Sequence, residues 1–468
     1  MSTQKDDFDL VVIGAGSAAF AAAIKASERG ARTALVERGE IGGTCVNVGC
    51  VPSKALLRAA EVVHQAGNHP FIGIQTSTGA VDFGALVGQK DELVGRLRRE
   101  KYLDLVEAYG FDVIRGDARF SGPTTIEIDG RTIAAGAFVV ATGASPSVPP
   151  IPGLEVAGFL TSTTALELDT LPSSVAVIGA NAIGLELGQL FLHLGSDIVF
   201  LDVAERIAPF EEPEISEAMA AALLDEGAQV FASASVTAVS GGNGGRVVEA
   251  LVDGHALRLP VAQVLVATGR VPNTAGLGLE AAGVEVGSRG AIVTDDGMRT
   301  SNPRVFAAGD CTDSPQFVYV AAYEGALAAE NALGGSRVVD LSALPRVTFT
   351  SPQIASAGMT AAEAIASGFE VKHTVLPLYA VPRALVNRDT RGLVKLVADA
   401  RTDRLLGASM MAEGAGDVIH SAVLAIKTGM TISALAETFH PYLTMAEALR
   451  LAAQTFTRDV SQLSCCAA

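Results

Sequence analysis

The stretch Asp9–Glu37, "DLVVIGAGSAAFAAAIKASERGARTALVE", has a counterpart at Ser174–Asp202, "SVAVIGANAIGLELGQLFLHLGSDIVFLD". Each copy opens with a short Val/Ile run, turns at a Gly and continues through an Ala/Leu-rich run. A further Gly and a second apolar run ending in an acid close it. That texture predicts strand, helix, strand. Gly14 to Glu37 spans 23 positions (37 − 14), and Gly179 to Asp202 spans the same 23 (202 − 179). Each copy is followed by an apolar strand ending in Ala-Thr-Gly, "FVVATGA" with Thr142 and Gly143, and "VLVATGR" with Gly269. The fold class is therefore α/β, with two Rossmann-like dinucleotide-binding domains.

In the first copy Gly14, Gly16 and Ala19 fit G-x-G-x-x-A between a strand and a helix. The first Gly permits the tight turn, the second lets a pyrophosphate approach the backbone, and the small third residue lets helix pack on strand. Glu37 ends the second strand, where an acid accepts ribose hydroxyls. The second copy reads Gly179, Asn181, Gly184. Asn tolerates a left-handed backbone, so the turn survives. Asp202 keeps the ribose-reading acid.

The remaining texture divides the chain. At 468 residues it exceeds a single core, and roughly two to four domains are expected. The Pro-rich "SPSVPPIPG" closes a first segment, 1–153, and segments 154–270 and 271–344 follow. Segment 345–468 changes to an α+β pattern of strands such as "GLVKLVADARTDRLLGASMM" and helices such as "GDVIHSAVLAIKTG". The net charge of −17 argues against nucleic acid as a partner. Apolar runs are interrupted by Glu186, His193 or Asp197, so no membrane span is expected. The first ten residues, "MSTQKDDFDL", lack the apolar core of a secretory leader. Five cysteines in so long a chain do not form a disulphide scaffold and point to chemistry in a reducing compartment, the cytoplasm.

Those cysteines are Cys45, Cys50, Cys311, Cys465 and Cys466. Cys45 and Cys50 lie in "GGTCVNVGCVPSK", directly after the first acid. Their spacing is about one and a half helical turns, which a modest distortion closes. Cys465 and Cys466 are adjacent in "SCCAA". Consecutive Cα atoms lie about 3.8 Å apart, short of the roughly 4.4–6.8 Å of a relaxed disulphide, so these are free thiols or ligands. Cys311 reads as a packed thiol.

"GGTCVNVGCVPSK", the duplicated units, "ATGASPSVPPIPG", "ATGRVPN" and "AAGDCTD" resemble the pyridine nucleotide–disulphide oxidoreductases over essentially the whole chain. The resemblance implies FAD in 1–153 and 271–344, NADH or NADPH in 154–270, and a homodimer built by the α+β dimerisation domain, 345–468. It implies that Cys50 faces the flavin as a thiolate and that Cys45 is the outer thiol. Lys54 and Glu186 form an ion pair beside the flavin, and Gly309 and Asp310 hold it. It further implies nucleotide contacts from Gly43, Thr44, Ala118 and Val318, from Thr142 and Gly143, and from Gly269.

Within the family, the ending "FHPYLTMAEALRLAAQTFTRDVSQLSCCAA" departs from the disulphide reductases. Five positions after His440 stands Met445 rather than Glu, the nearest acid is Glu447, and Tyr442 replaces a small residue. This segment, "GDCTDSPQFVYVAA" and "VPRALVN" with "DTRGLVKLV" resemble the mercuric reductases. That implies Hg(II) as substrate, reduced to Hg(0). Cys45 and Cys50 would be its ligands at the flavin, with Tyr442 close by. Cys465 and Cys466 would be the ligands that take it from mercury–thiol complexes and pass it to the other subunit's inner pair. Thiolates suit so soft an ion. The chain starts at the flavin strand without the paired-Cys metal-binding domain that many such enzymes carry, so the tail is expected to collect the metal. Two other readings stand beside this one: a dihydrolipoamide dehydrogenase-like disulphide reductase, and a thiol protein that sequesters soft metals without reducing them.

Overall fold

The computed structural model describes residues 7–242 and 244–462. The chain folds into two compact units. One comprises Met1–Ala55, Gly84–Ser147 and Gly269–Val339, and the other Leu56–Phe83, Val148–Thr268 and Asp340–Ala468.

The first unit is built on the first repeat. Strand β1 (Phe8–Ile13) leads through the glycine turn into helix α1 (Ser17–Glu28) and strand β2 (Thr33–Glu37). β1 pairs in parallel with β2 on one side and with Arg131–Val140 on the other, extending a sheet of seven strands. β1 is apolar on both faces because helices and loops cover both. On one side α1 packs against helix Val318–Ala332. Their approach is so close that a Cβ on Gly325 would lie 2.0 Å from the Ala18 carbonyl oxygen, which fits the Ala richness of both helices.

The second unit repeats the plan. Strands Ser174–Ile178, Asp197–Leu201, Gln229–Phe231 and Gln263–Val266 form a parallel sheet around helix Ala182–His193. An antiparallel meander, Ala234–Val261 with Asn243 undescribed, shares its apolar core. The C-terminal part forms a five-stranded antiparallel sheet in the order Pro345–Thr348, Gln353–Gly358, Leu405–Ala412, Leu393–Asp399, Val371–Pro377. Helices Ala415–Lys427 and Glu447–Gln454 contribute to its core.

The two repeats match bond for bond. Gly14 donates its N–H to Val36 O at 2.8 Å, and Gly179 donates to Leu201 O at 2.8 Å. Ala141 N–H reaches Ile13 O, and Ala267 N–H reaches Ile178 O, each at 2.8 Å. Both glycines have positive φ, +114° and +98°, and a Cβ on either would lie within 2.5 Å of the Ala-Thr-Gly strand's carbonyl oxygen. Only glycine fits there. No helix among the described residues is long and apolar enough to cross a membrane.

Candidate active site

The glycine loop of the first unit is where the thiols are held. α1 starts after Gly16 with no side-chain cap and no acid in its first turn, leaving its leading N–H groups for an anion. Gly42 N–H donates to Ala15 O at 2.8 Å. Gly43 then presses on Gly16 so closely that a Cβ would sit 2.5 Å from the Gly16 Cα. This contact brings helix α2 (Gly43–Val48), carrying Thr44 and Cys45, up to the loop.

α2 ends at Gly49 (φ −129°, ψ −111°), and helix α3 (Cys50–Asn68) starts at once. The distortion expected between the two cysteines is thus a complete break. A Cβ on Gly49 would stand 2.8 Å from Thr44 O, so the break needs glycine. Asn47 pins the loop. Its Nδ2 donates to Ile41 O at 3.0 Å and Gly43 O at 2.9 Å, and its Oδ1 accepts from Arg98 Nε at 2.7 Å. Ser53 Oγ donates to Cys50 O at 3.2 Å.

Cys45 and Cys50 are half-buried and not joined in a disulphide. A hydrogen bond to Cys50, then burial, holds the Cys45 thiol far above the ordinary range, while the Lys54 charge pulls the other way. Tyr102 lies on a π-helical turn, Arg99–Leu103, edge-on to Phe20 at 4.8 Å between centroids. Burial raises its phenol above the usual range, Ser17 lowers it by hydrogen bonding, and both thiols raise it further.

Arg270, mostly buried, stands 3.8 Å from the Asp310 carboxylate and donates to Ala144 O. Burial lowers its guanidinium, while Asp310 and Cys50 support its charge. Burial raises Asp310, and Arg270 opposes that. Gly309 N–H donates to the fully buried Glu324 at 2.9 Å, and burial holds that carboxyl above the ordinary range. Asn47 and Arg270 lie inside the quoted motifs "GGTCVNVGCVPSK" and "ATGRVPN" but were given no role from the sequence, and no motif marked Arg98, Tyr102 or Glu324.

A dinucleotide fits this unit. A Cβ on Gly143 or Gly269 would meet nothing within 4 Å, and one on Gly16 only the Gly43 Cα at 3.7 Å, so the backbone faces open space. Thr142 Oγ1 donates to Asn273 O at 2.7 Å, fixing the Ala-Thr-Gly turn. Glu37 ends β2 and accepts from Gly39 N–H at 2.6 Å. Ala19 is buried under the turn, Val318 opens its helix, and Ala118 is packed among Phe120 and Phe138. Cys311 is fully buried with its Sγ–H on Val140 O and Ala308 O, and burial pushes its thiol up to about 11.

In the second unit Gly184 is needed as glycine, since a Cβ would lie 1.9 Å from Gly179 O. The left-handed role expected for Asn181 is corrected. Asn181 is extended (φ −103°, ψ −170°), as Gly16 is (φ −87°, ψ −168°), so an L-residue sits there without strain. Helix Ala182–His193 again begins without a side-chain cap or first-turn acid. Asp202 is buried and accepts from Ala180 N–H at 2.6 Å and Ala204 N–H at 2.8 Å. Glu186, also buried, accepts from Phe349 N–H at 2.9 Å.

At the C-terminal end His440 Nδ1 is 3.0 Å from Thr438 O on an exposed turn, Tyr442 is half-exposed, and Met445 and Glu447 are buried. Cys465 and Cys466 lie outside the described residues.

A family model described as pyridine nucleotide-disulphide oxidoreductase matches residues 8–325, and one for that family's dimerisation domain matches residues 344–453. A mercuric reductase of Lysinibacillus sphaericus is 52% identical over 464 residues, 99% of this chain and 85% of that protein. A mercuric reductase of Streptomyces lividans is 51% identical over 468 residues, 98% of each. Among solved structures, the HOCl-induced flavoprotein disulphide reductase RclA of Escherichia coli is similar at TM-score 0.84 and 31% identity, covering 95% of this chain and 99% of that one. This chain belongs to the pyridine nucleotide-disulphide oxidoreductase family, on its mercuric reductase branch.

Proposed function

We propose that this chain reduces Hg(II) to volatile Hg(0) with NADH or NADPH, through FAD and the Cys45/Cys50 pair. The observation that carries the reading is the break at Gly49, which sets two inequivalent thiols beside the first glycine loop. The open backbone at Gly16 and Gly143, the uncapped start of α1 and Glu37 would hold FAD. Gly179, the start of helix Ala182–His193 and Asp202 would hold the nicotinamide nucleotide. Bound FAD supplies two-electron transfer between the nicotinamide and the thiol side.

The chain's own residues bind the ion and manage protons. Thiolates, not thiols, are metal ligands, so Cys45 gives up its proton as it takes Hg(II). Lys54 favours that charge on Cys45, and Arg270 is the cation that senses Cys50. The balance closes without oxidising sulfur: Hg(II) and NAD(P)H become Hg(0), NAD(P)+ and one proton. The soft thiolates that hold Hg(II) have no such hold on the neutral atom, which leaves. Lys54 and Glu186 carry over from the resemblance as the charged groups beside the cofactor, and Tyr442 as a neighbour of the thiol site.

The dimerisation domain supports a homodimer. The finer reading is that Cys465 and Cys466 of the partner subunit strip the ion from mercury–thiol complexes and hand it to Cys45. A reducing cytoplasm keeps all four thiols available.

The test is nucleotide oxidation by purified protein in excess small thiol, started with Hg(II), with volatile mercury trapped. Cys45→Ala should keep FAD and lose mercury turnover. Near-normal mercury turnover by Cys45→Ala would remove the inner pair from the mechanism. Lipoamide turnover without mercury turnover would transfer the chain to the disulphide reductases.

A further inference from the structure

The second unit holds a side-chain cluster that the reaction above does not use. His64 on α3, His193 at the end of helix Ala182–His193 and Glu226 just past helix Pro213–Asp225 converge there. One donor atom from each lies within 4.8 Å of the others. His193 Nε2 is 3.1 Å from Glu226 Oε2, and His64 Nε2 is 3.8 Å from Glu226 Oε1. The imidazoles stack at 3.9 Å between centroids, 20° from parallel. All three residues line a cavity of about 820 Å³.

We propose that His64, His193 and Glu226 bind a borderline divalent cation, Zn(II) foremost, with an open coordination position toward this cavity. The first support is geometric. Zn–N and Zn–O bonds of about 2.0–2.2 Å in a tetrahedron put donor atoms roughly 3.3 Å apart, and the observed edges bracket that separation. The second is the donor set. Two imidazoles and one carboxylate suit Zn(II), and three protein ligands leave one position for water or a small ligand. Hg(II) would favour the thiolates instead.

The third support is charge. Arg391 donates to Glu226 Oε1 at 2.8 Å, which on its face opposes a cation. Yet Arg391 is already neutralised by Asp389, through Nε at 3.0 Å and Nη2 at 2.9 Å. The Glu226 charge is therefore left over for an ion. The carboxylate is oriented from outside by Gln189. Its amide donates to Glu226 Oε2 at 2.9 Å, and its own oxygen accepts from Ser351 N–H at 2.7 Å. Such outer partners orient metal ligands. The ion would tie α3, the two helix ends and the turn before strand Leu393–Asp399 together inside one unit.

The test uses FAD-loaded protein in which Cys45, Cys50, Cys465 and Cys466 are alanine, so that thiolates do not compete. Calorimetric titration with Zn(II) should show one ion per chain and a higher Tm on loading. His64→Gln and Glu226→Gln should each weaken uptake by about 100-fold or more, since outer-shell partners alone are worth 10–100-fold. X-ray absorption at the zinc edge of the loaded parent keeps the proposal testable if a variant fails to fold. It should show a nitrogen and oxygen shell with imidazole scattering. No uptake by the parent at about 100 times a micromolar Kd, undiminished uptake by both variants, or a shell without imidazole would each overturn the site.

Discussion

Replacing Asn47 by Ala separates the fold from the placement of the thiols. The side chain makes three hydrogen bonds, two donated to Ile41 O and Gly43 O and one accepted from Arg98. Neutral bonds are worth about 0.5–1.5 kcal/mol net and those to charged groups about 1.5–3 kcal/mol. Arg98 keeps its contact with Glu40 at 3.2 Å and is one-third exposed, which puts its bond at the lower end. The three together come to about 2.5–4.5 kcal/mol, all of it concentrated between Ile41 and Arg98. The glycine loop does not depend on Asn47, so FAD content should stay normal. The thiol loop should loosen. A misplacement of about 1 Å at a reacting centre costs on the order of 100-fold in rate, and Hg(II)-dependent nucleotide oxidation should fall by that order. Exchange of the Gly49, Cys50, Val51 and Ser53 amides should quicken by roughly 100-fold or more if the loop opens locally. Asn47→Asp keeps the Arg98 acceptor but turns a carboxylate on two carbonyls, so it should be no better than alanine. Turnover within twofold of the parent, with unchanged exchange at these amides, would refute the claim that Asn47 sets the thiol geometry.

Three further outcomes follow from the same structure. Burial holds the Cys311 thiol protonated up to about 11, whereas the unfolded chain ionises it near 9, so this residue's stabilisation is complete below pH 9 and lost as pH rises toward 11; over that span Cys311→Ala should lose about 2–3 kcal/mol less than the parent in denaturant titrations. Asp202 places an acid at the strand end, and Arg206 is engaged by Ser216 Oγ, Pro209 O and Glu211 O, so kcat/KM should be at least as high for NADH as for NADPH; Asp202→Asn should move the ratio toward NADPH by about tenfold, or 1.4 kcal/mol. The double change Cys465→Ala, Cys466→Ala should leave flavin reduction intact and lose turnover of mercury held by a bulky dithiol more than turnover of a mercuric halide; equal activity with both complexes would leave the tail pair without a delivery role.

Regular features reached the surface of the sequence because they depend on near neighbours. The repeats, the Ala-Thr-Gly strands and the C-terminal strands all follow from local periodicity. The glycine requirement at Gly14 and Gly179 could likewise be read from the turn. The error at Asn181 arose from giving the second motif position a left-handed backbone, when in each copy the first position alone has positive φ. What locks the thiols could not be read locally. Arg98 meets Asn47 from 51 positions away, and Arg270 meets Ala144 from 126 away. No periodicity links them, and single Arg or Asn residues in mixed segments carry no mark of a partner. The His64–His193–Glu226 cluster was hidden for the same reason, since it forms only where three helices end together.

The duplicated plan also explains why the thiol pair sits in one repeat. After the second strand of each copy the chain returns to its own glycine turn by the same bond. Gly42 N–H donates to Ala15 O at 2.8 Å, and Ala208 N–H donates to Ala180 O at 2.8 Å. Both returning residues have positive φ, +106° at Gly42 and +44° at Ala208. From there the copies diverge. In the first, Gly43 closes on Gly16 and a helix of six residues carries Cys45 up to the break at Gly49. In the second, Pro209 and Glu211 follow and lend their carbonyls to Arg206, so the return loop is tied to a cation and holds no nucleophile. The return bond is a backbone feature that either sequence satisfies. Everything that makes the first copy a thiol site therefore lies in residues 42–50 and the side chains that clamp them, and substitutions elsewhere in that return should alter stability before they alter chemistry.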